Sequence, residues 1–145
     1  MLKRTSWITL VVLALLAAGC ASGGGGAPAA PAGPSDEELV TQLINSTLAA
    51  LQAKDVEKMM SVYTDDFSTS DGQSKADFTQ FLADAGSQGF LDGMTADISA
   101  LAVTVDGDSA SVSGITIEGA FGVLDLSFDL TKASGSWMIS GQSQQ

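Results

Sequence analysis

Leu124-Asp125-Leu126-Ser127-Phe128-Asp129-Leu130-Thr131 alternates without a break. Leucine and phenylalanine occupy every even position, and acids or hydroxyls every odd one. Side chains of a strand point alternately to its two faces, so this octet predicts a strand with one buried and one solvated face. A chain carrying such a strand must cover the apolar face with something else. The sequence on either side says what covers it.

Downstream, Ser134-Gly135 marks a turn, and Trp137-Met138-Ile139-Ser140 reads as a last strand. Upstream, residues 109–119 read as a strand whose apolar phase slips between Val112 and Ile115, across Ser113-Gly114. A slip of that kind predicts a β-bulge and a bend. Asp106-Gly107 between Val105 and Asp108 is a hairpin signal, and residues 95–105 read as one long strand before it. Four strands thus form a meander. A further short strand is expected at Phe67-Ser68-Thr69-Ser70.

Ahead of the meander the period changes to that of a helix. Ser35-Asp36-Glu37-Glu38 is a capping box, in which Ser35 caps the amide of residue 38 and Glu38 reaches back. Leu39, Leu43, Ile44, Thr47, Leu48 and Leu51 then make one apolar stripe. Asp55 caps a second, short helix with Val56, Met59, Met60 and Tyr63 on its inner side. Ser74, with Asp77 three residues on, opens a third, which buries Phe78, Phe81, Leu82 and Ala85 and ends at Gly86 and Gly89. The fold class is α+β: three N-terminal helices in one layer on a curved, mainly antiparallel sheet of four to five strands.

Composition bounds the chemistry. The chain has 145 residues, 17 acidic against 6 basic side chains, a net charge of −11, one cysteine and no histidine. Without histidine there is no imidazole nucleophile system and no histidine-ligated metal. One cysteine excludes an internal disulfide and any multi-cysteine zinc or iron–sulfur site. The acidic balance argues against nucleic acid as a partner, because phosphate binding needs clustered Lys and Arg. No cofactor is expected.

The first 20 residues, MLKRTSWITLVVLALLAAGC, carry a different signal. Lys3 and Arg4 form a short positive region. Trp7 to Ala18 is a 12-residue run that is apolar except for Thr9. A spanning helix needs roughly 20 apolar residues, so the run fits the apolar core of a secretory signal peptide. Ala17-Ala18-Gly19-Cys20 resembles the lipobox of bacterial lipoproteins, with the leucine usual at its first position displaced to Leu16. The resemblance implies cleavage before Cys20, a diacylglycerol thioether on its sulfur and acylation of the new amino group. It also implies residence in the bacterial cell envelope. Ala21 after the cysteine resembles the pattern sorted to the outer membrane in Gram-negative cells; elsewhere the anchor would sit on the outer face of the plasma membrane.

Three segments follow from this reading: residues 1–19 a signal peptide, residues 20–34 a lipidated cysteine and linker, and residues 35–145 the domain. The linker ASGGGGAPAAPAGP holds all three prolines and no charge, so it buries too little to offset the entropy of ordering. Loss of residues 1–19 leaves 4 basic against 17 acidic side chains, a net charge of −13. Such charge favours solubility and repels anionic polymers.

Ala50-Leu51-Gln52-Ala53-Lys54-Asp55-Val56, running into Ser61-Val62-Tyr63-Thr64-Asp65-Asp66-Phe67, resembles the nuclear transport factor 2-like superfamily of cystatin-like topology. So do the closing Val105-Asp106-Gly107-Asp108 and Gly135-Ser136-Trp137-Met138-Ile139. These SnoaL-like and ketosteroid-isomerase-like rolls wrap a bent sheet around helices into a cone, and the resemblance implies a ligand pocket at its open end. Enzymes of the family use an Asp or His base with Tyr or Asp donors inside the cone.

Tyr63, Asp66, Phe78, Phe81 and Trp137 are the candidate pocket residues. Tyr63 is the sole tyrosine, and its phenol can donate to a bound oxygen. An acid in an apolar cone can act as a base. Against catalysis, Asp65-Asp66 stands where acids organise turns, and Tyr63 lies on an inward face and reads as core. No catalytic position of the family aligns by spacing with this chain. Asp106-Gly107-Asp108 lacks the further ligands of a calcium loop, and Gly23 to Gly26 lacks the strand and Lys-Ser/Thr of a phosphate loop.

The reading that results is a lipid-anchored domain that binds a small apolar ligand or an envelope protein without catalysis. The outer face of its sheet is available for a homodimer. The alternative is a small isomerase- or hydrolase-like enzyme using Asp and Tyr in the pocket.

Overall fold

A computed structural model describes residues 33–145. The expected signal peptide, Cys20 and nearly all of the expected linker therefore lie outside the described residues. Ser35 caps helix α1 (Asp36–Gln52) through the capping box expected of it, its hydroxyl accepting from the Glu38 amide while Glu38 accepts from the Ser35 amide at 2.8 Å. Asp55 caps the short α2 (Val56–Met60). Ser74 and Asp77 repeat the capping box at α3 (Lys75–Ser87). Each cap satisfies amides that a helix start otherwise leaves without partners, a contribution of about 1 kcal/mol apiece.

Between α2 and α3 runs β1 (Tyr63–Thr69), longer than the expected strand and beginning at Tyr63 itself. Tyr63 is thus a strand residue and not the last inner residue of the second helix. After α3 come β2 (Thr95–Asp97), β3 (Ala102–Asp106), β4 (Ser109–Gly119), β5 (Gly122–Ala133) and β6 (Ser136–Gln144). They form a mixed six-stranded sheet in the order β1-β6-β5-β4-β2, with β3 also paired to β4. Only β1 and β6 pair in parallel; the other pairings are antiparallel.

The single long strand expected over residues 95–105 is two strands, which raises the strand number to six. The cause lies in the neighbouring strand. The β4–β5 register shifts between Val112 and Ile115, so β4 bends there, as the slipped alternation predicts. β3 pairs with β4 before the bend and β2 with β4 beyond it. The intervening chain turns, with the Leu101 amide on the Ile98 carbonyl at 3.0 Å and the Ser99 amide on the Asp97 carboxylate at 2.8 Å. That amide holds the Asp97 carboxyl below its ordinary pKa. Gly114 has φ +74, and a Cβ there would run into the Ala100 carbonyl group of the turn.

The apolar stripe of α1 buries Val40, Ile44, Thr47, Leu48 and Leu51. The sheet buries Ile115, Ile117, Leu126, Phe128, Leu130 and Ile139 on the facing side. Full burial of such a side chain contributes about 1.5–3 kcal/mol. Asp36, in the first turn of α1, accepts from Lys132 Nζ at 2.7 Å and Trp137 Nε1 at 3.0 Å, tying the start of the helix to β5 and β6.

Candidate functional site

Between the last turns of α1, helix α3 and strands β4 to β6, the two layers leave an apolar cavity of about 330 Å³. Leu48 and Leu51 of α1 and Phe78 and Leu82 of α3 form one wall. Ile117, Leu126 and Phe128 form the other, and the loop after α3 contributes Phe90, Leu91 and Met94. The volume falls at the small end of ligand pockets, which span about 300–1,000 Å³. No Asp, Glu, Lys or Arg is among the lining residues; the polar members are Thr47, Gln142 and Gln144.

The mouth is ringed by phenylalanines. Phe81 is 55% exposed, Phe90 46% and Phe121 39%. Phe81 was expected inside the helix layer. It stacks on buried Phe78 and lines the cavity, but its ring stands at the rim and stays largely exposed. Large exposed apolar side chains gathered around a cavity mark a place where something docks. A chain of rings leads inward from the rim. Phe81 stacks on Phe78 at 6.3 Å, Phe78 is 5.5 Å from Phe67, and Tyr63 meets Phe67 edge-on at 4.8 Å.

The structure separates the five residues proposed for the pocket. Phe78 and Phe81 line the cavity. Tyr63 lies behind Phe78, 6.2 Å away, fully buried, with no hydrogen-bond partner for its hydroxyl. Burial pushes its phenol pKa well up, so the group is neutral. Asp66 is exposed and borders a polar groove on the opposite face of the sheet, with Thr104, Ser111 and Ser140. Trp137 is buried but packs beneath the start of α1, with Lys132 Nζ 5.4 Å from its ring, and takes no part in the cavity.

Gln142 and Gln144 are the residues that sequence reasoning passed over. The sequence predicts a last strand ending at Ser140, yet β6 continues to Gln144. Its pairing with β5 shifts register between Asp129 and Leu130, so Gln142 stands opposite Phe128 and Gln144 opposite Leu126. Directly paired residues share a face, and both glutamines therefore turn toward the apolar side. Gly141 sits at this irregularity, where an added Cβ would press on the Asp129 carboxylate at 3.2 Å. A glycine after the last apolar residue was the available signal. Gln142 is 8% exposed, and its side-chain oxygen has no hydrogen-bond partner.

Among the described residues no cluster of potential ligands can hold a metal ion, and no helix is long and apolar enough to cross a membrane. No known family's profile and no curated protein sequence matches the chain. Solved structures do match. A protein of unknown function with a cystatin-like fold from Nostoc punctiforme is 17% identical, with a TM-score of 0.62 over 75% of this chain and 89% of that one. A nuclear transport factor 2-like protein of unknown function from Pseudomonas putida is 18% identical, with a TM-score of 0.63 over 75% and 84%. A nuclear transport factor 2-like protein from Cytophaga hutchinsonii is 18% identical, with a TM-score of 0.58 over 77% and 98%. The domain has the nuclear transport factor 2-like, cystatin-like α+β fold, as the sequence resemblance implied. At these identities the likeness is one of fold.

Proposed function

We propose that the domain binds a small, uncharged, predominantly apolar molecule in the cavity between α1, α3 and the sheet. The observation that carries this reading is the open apolar cavity itself, walled by aliphatic and aromatic side chains and rimmed by exposed Phe81, Phe90 and Phe121. Binding there removes apolar surface of both ligand and rim from water. The lining holds no charge to pair with an ionic ligand, and an unpaired charge brought into such surroundings is costly. The acid that an enzymatic reading places beside Tyr63 is Asp66, which borders the opposite face. This arrangement favours binding over acid–base catalysis.

The leader and Cys20 add a location to the reading. A lipid on Cys20 would hold the domain at the bacterial cell envelope on the tether of residues 20–34, where small apolar molecules partition. The support is the sequence pattern Ala17-Ala18-Gly19-Cys20 after a short apolar run.

Thermal unfolding of the purified protein with and without 1-methylnaphthalene tests the pocket. A ligand that binds only the folded state raises Tm with concentration. Ala85, on the lining face of α3, offers the control: Ala85→Leu puts three more carbons into the cavity and should abolish the shift while the protein remains folded. Absence of any shift with the native protein, up to the solubility limit of the probe, would overturn the reading.

A further inference from the structure

We propose that Gln142 selects the ligand, and that the molecule bound in the cavity carries a hydroxyl whose proton is donated to the Gln142 side-chain oxygen. The inference rests on the cavity being a ligand site and goes on to name the chemical class. Three buried side-chain oxygens lack partners among the described residues: those of Tyr63, Thr64 and Gln142. Only Gln142 among them lines the cavity.

Its position is built in by the sheet. Had β5 and β6 kept one register throughout, the alternation that turns Trp137 and Ile139 inward would have turned Gly141 and Ser143 inward too. The shift near Gly141 instead brings Gln142 beside Phe128 on the apolar face. A buried amide oxygen without a partner costs folding free energy. Gln142 borders the apolar cavity and also, with Ser68, Thr69 and Ser70, a polar groove beside it, yet its side-chain oxygen has no hydrogen-bond partner, so the empty acceptor is available to a molecule in the cavity. Thr47, the other buried polar residue of the lining, already spends its hydroxyl on the Leu43 carbonyl at 2.8 Å. Among the described residues of the lining, Gln142 therefore carries the one buried side-chain oxygen left without any partner, whereas Thr47 is already satisfied as a donor.

An acceptor in an uncharged apolar cavity discriminates in two ways. It favours an alcohol or phenol over a hydrocarbon or ether of the same shape, because only the former fills the acceptor. It disfavours a carboxylate, whose oxygens would face the amide oxygen with no cation in the lining. The ligand class is a compact apolar body with one hydroxyl.

Calorimetry with 1-naphthol, 1-methylnaphthalene and 1-methoxynaphthalene tests the inference on the native protein. 1-Naphthol should bind about tenfold tighter than either analogue, the discrimination expected when a buried acceptor is filled or left empty. In Gln142→Leu the preference should fall to about onefold, with the hydrocarbon still bound. Equal binding of the three probes by the native protein would overturn the role of Gln142 and leave the cavity reading intact. A preference for 1-naphthol that survives Gln142→Leu would do the same. If none of the three binds, the cavity reading itself falls, and this inference with it. Should Gln142→Leu fail to fold, the comparison of alcohol with ether on the native protein decides alone.

Discussion

Trp137 donates its indole N–H to the Asp36 carboxylate over 3.0 Å, joining residues 101 positions apart in the chain. Lys132 Nζ reaches the same oxygen at 2.7 Å. The first turn of α1 is thereby fastened to the strands beneath it, at the end of the fold away from the cavity. The hydrogen bonds from Lys132 and Trp137 hold the Asp36 carboxyl below its ordinary pKa. A carboxyl whose pKa is depressed on folding stabilises the folded state above its unfolded pKa, about 3.9 for Asp, and loses that contribution as pH falls through the folded value. Asp77, held low by Ser74, and Asp97 act in the same direction. Asp36→Asn should therefore lower Tm at pH 7, and the gap from the native protein should close below about pH 4. A gap that is absent at pH 7, or that widens in acid, would count against this contact.

Tyr63 gives a prediction of opposite sign. Its ring is fully buried against Phe67 and Phe78, while its hydroxyl has no partner. Tyr63→Phe keeps the ring and removes the desolvated oxygen. Leaving a buried hydroxyl unpaired costs about 1–3 kcal/mol, so the variant should gain about 1 kcal/mol and raise Tm by about 4 °C. Denaturant and thermal unfolding both read it. A loss of stability would mean that the hydroxyl serves a partner, and would reopen a chemical role for Tyr63.

Much of the fold is legible in the chain because its signals are local. Ser35 with Glu38, and Ser74 with Asp77, are spaced as caps and act as caps. The Leu124–Leu130 alternation is a half-buried strand, and the slip across Ser113-Gly114 is a bend. What stayed hidden depends on partners distant in sequence. The break in the 95–105 segment is imposed by the bend of β4 beside it. Helical spacing groups Phe81 with Phe78 and Leu82 but cannot say that a cavity opens beside it and leaves its ring at the rim. Trp137 and Phe128 both read as inward strand residues, yet only one stands at the end of the sheet that the helices leave open. Gln142 was hidden for a different reason. A polar residue after a glycine carries no alternation of its own, and only the β5–β6 register turns it inward.

Gly114 is where the bend is most exposed to substitution. It has φ +74, a conformation that side chains with a Cβ adopt at a cost of about 1–3 kcal/mol. An alanine Cβ would also lie 2.7 Å from the Ala100 carbonyl carbon, so the turn between β2 and β3 would have to move. Gly107, in the β3–β4 hairpin, has φ +60 and open space around the same position. Gly107→Ala should cost about 1 kcal/mol and Gly114→Ala at least about 2 kcal/mol more, the clash adding to the strain. The cavity lies on the strands beyond the bend, so Gly114→Ala should also weaken 1-methylnaphthalene binding, whereas Gly107→Ala leaves it unchanged. Equal costs for the two substitutions would show that the bend does not depend on Gly114.

Cys20 tests the proposed anchoring separately from the pocket. Each acyl methylene placed in the bilayer contributes about 0.8 kcal/mol, so a single chain binds reversibly while several chains on one residue hold firmly. The domain and its tether offer no substitute, since the mature chain would carry 17 acids against 4 bases and be repelled by anionic lipid. Cys20→Ser removes the sulfur that would carry the diacylglycerol. In the producing bacterium the variant should leave the membrane fraction or accumulate unprocessed, with 1-naphthol binding by the folded domain unchanged. Intact mass of the native protein should correspond to a chain starting at Cys20 plus acyl groups. A native mass matching residues 1–145 with nothing attached, or equal membrane partitioning of the Cys20→Ser protein, would dismiss the anchor without touching the cavity.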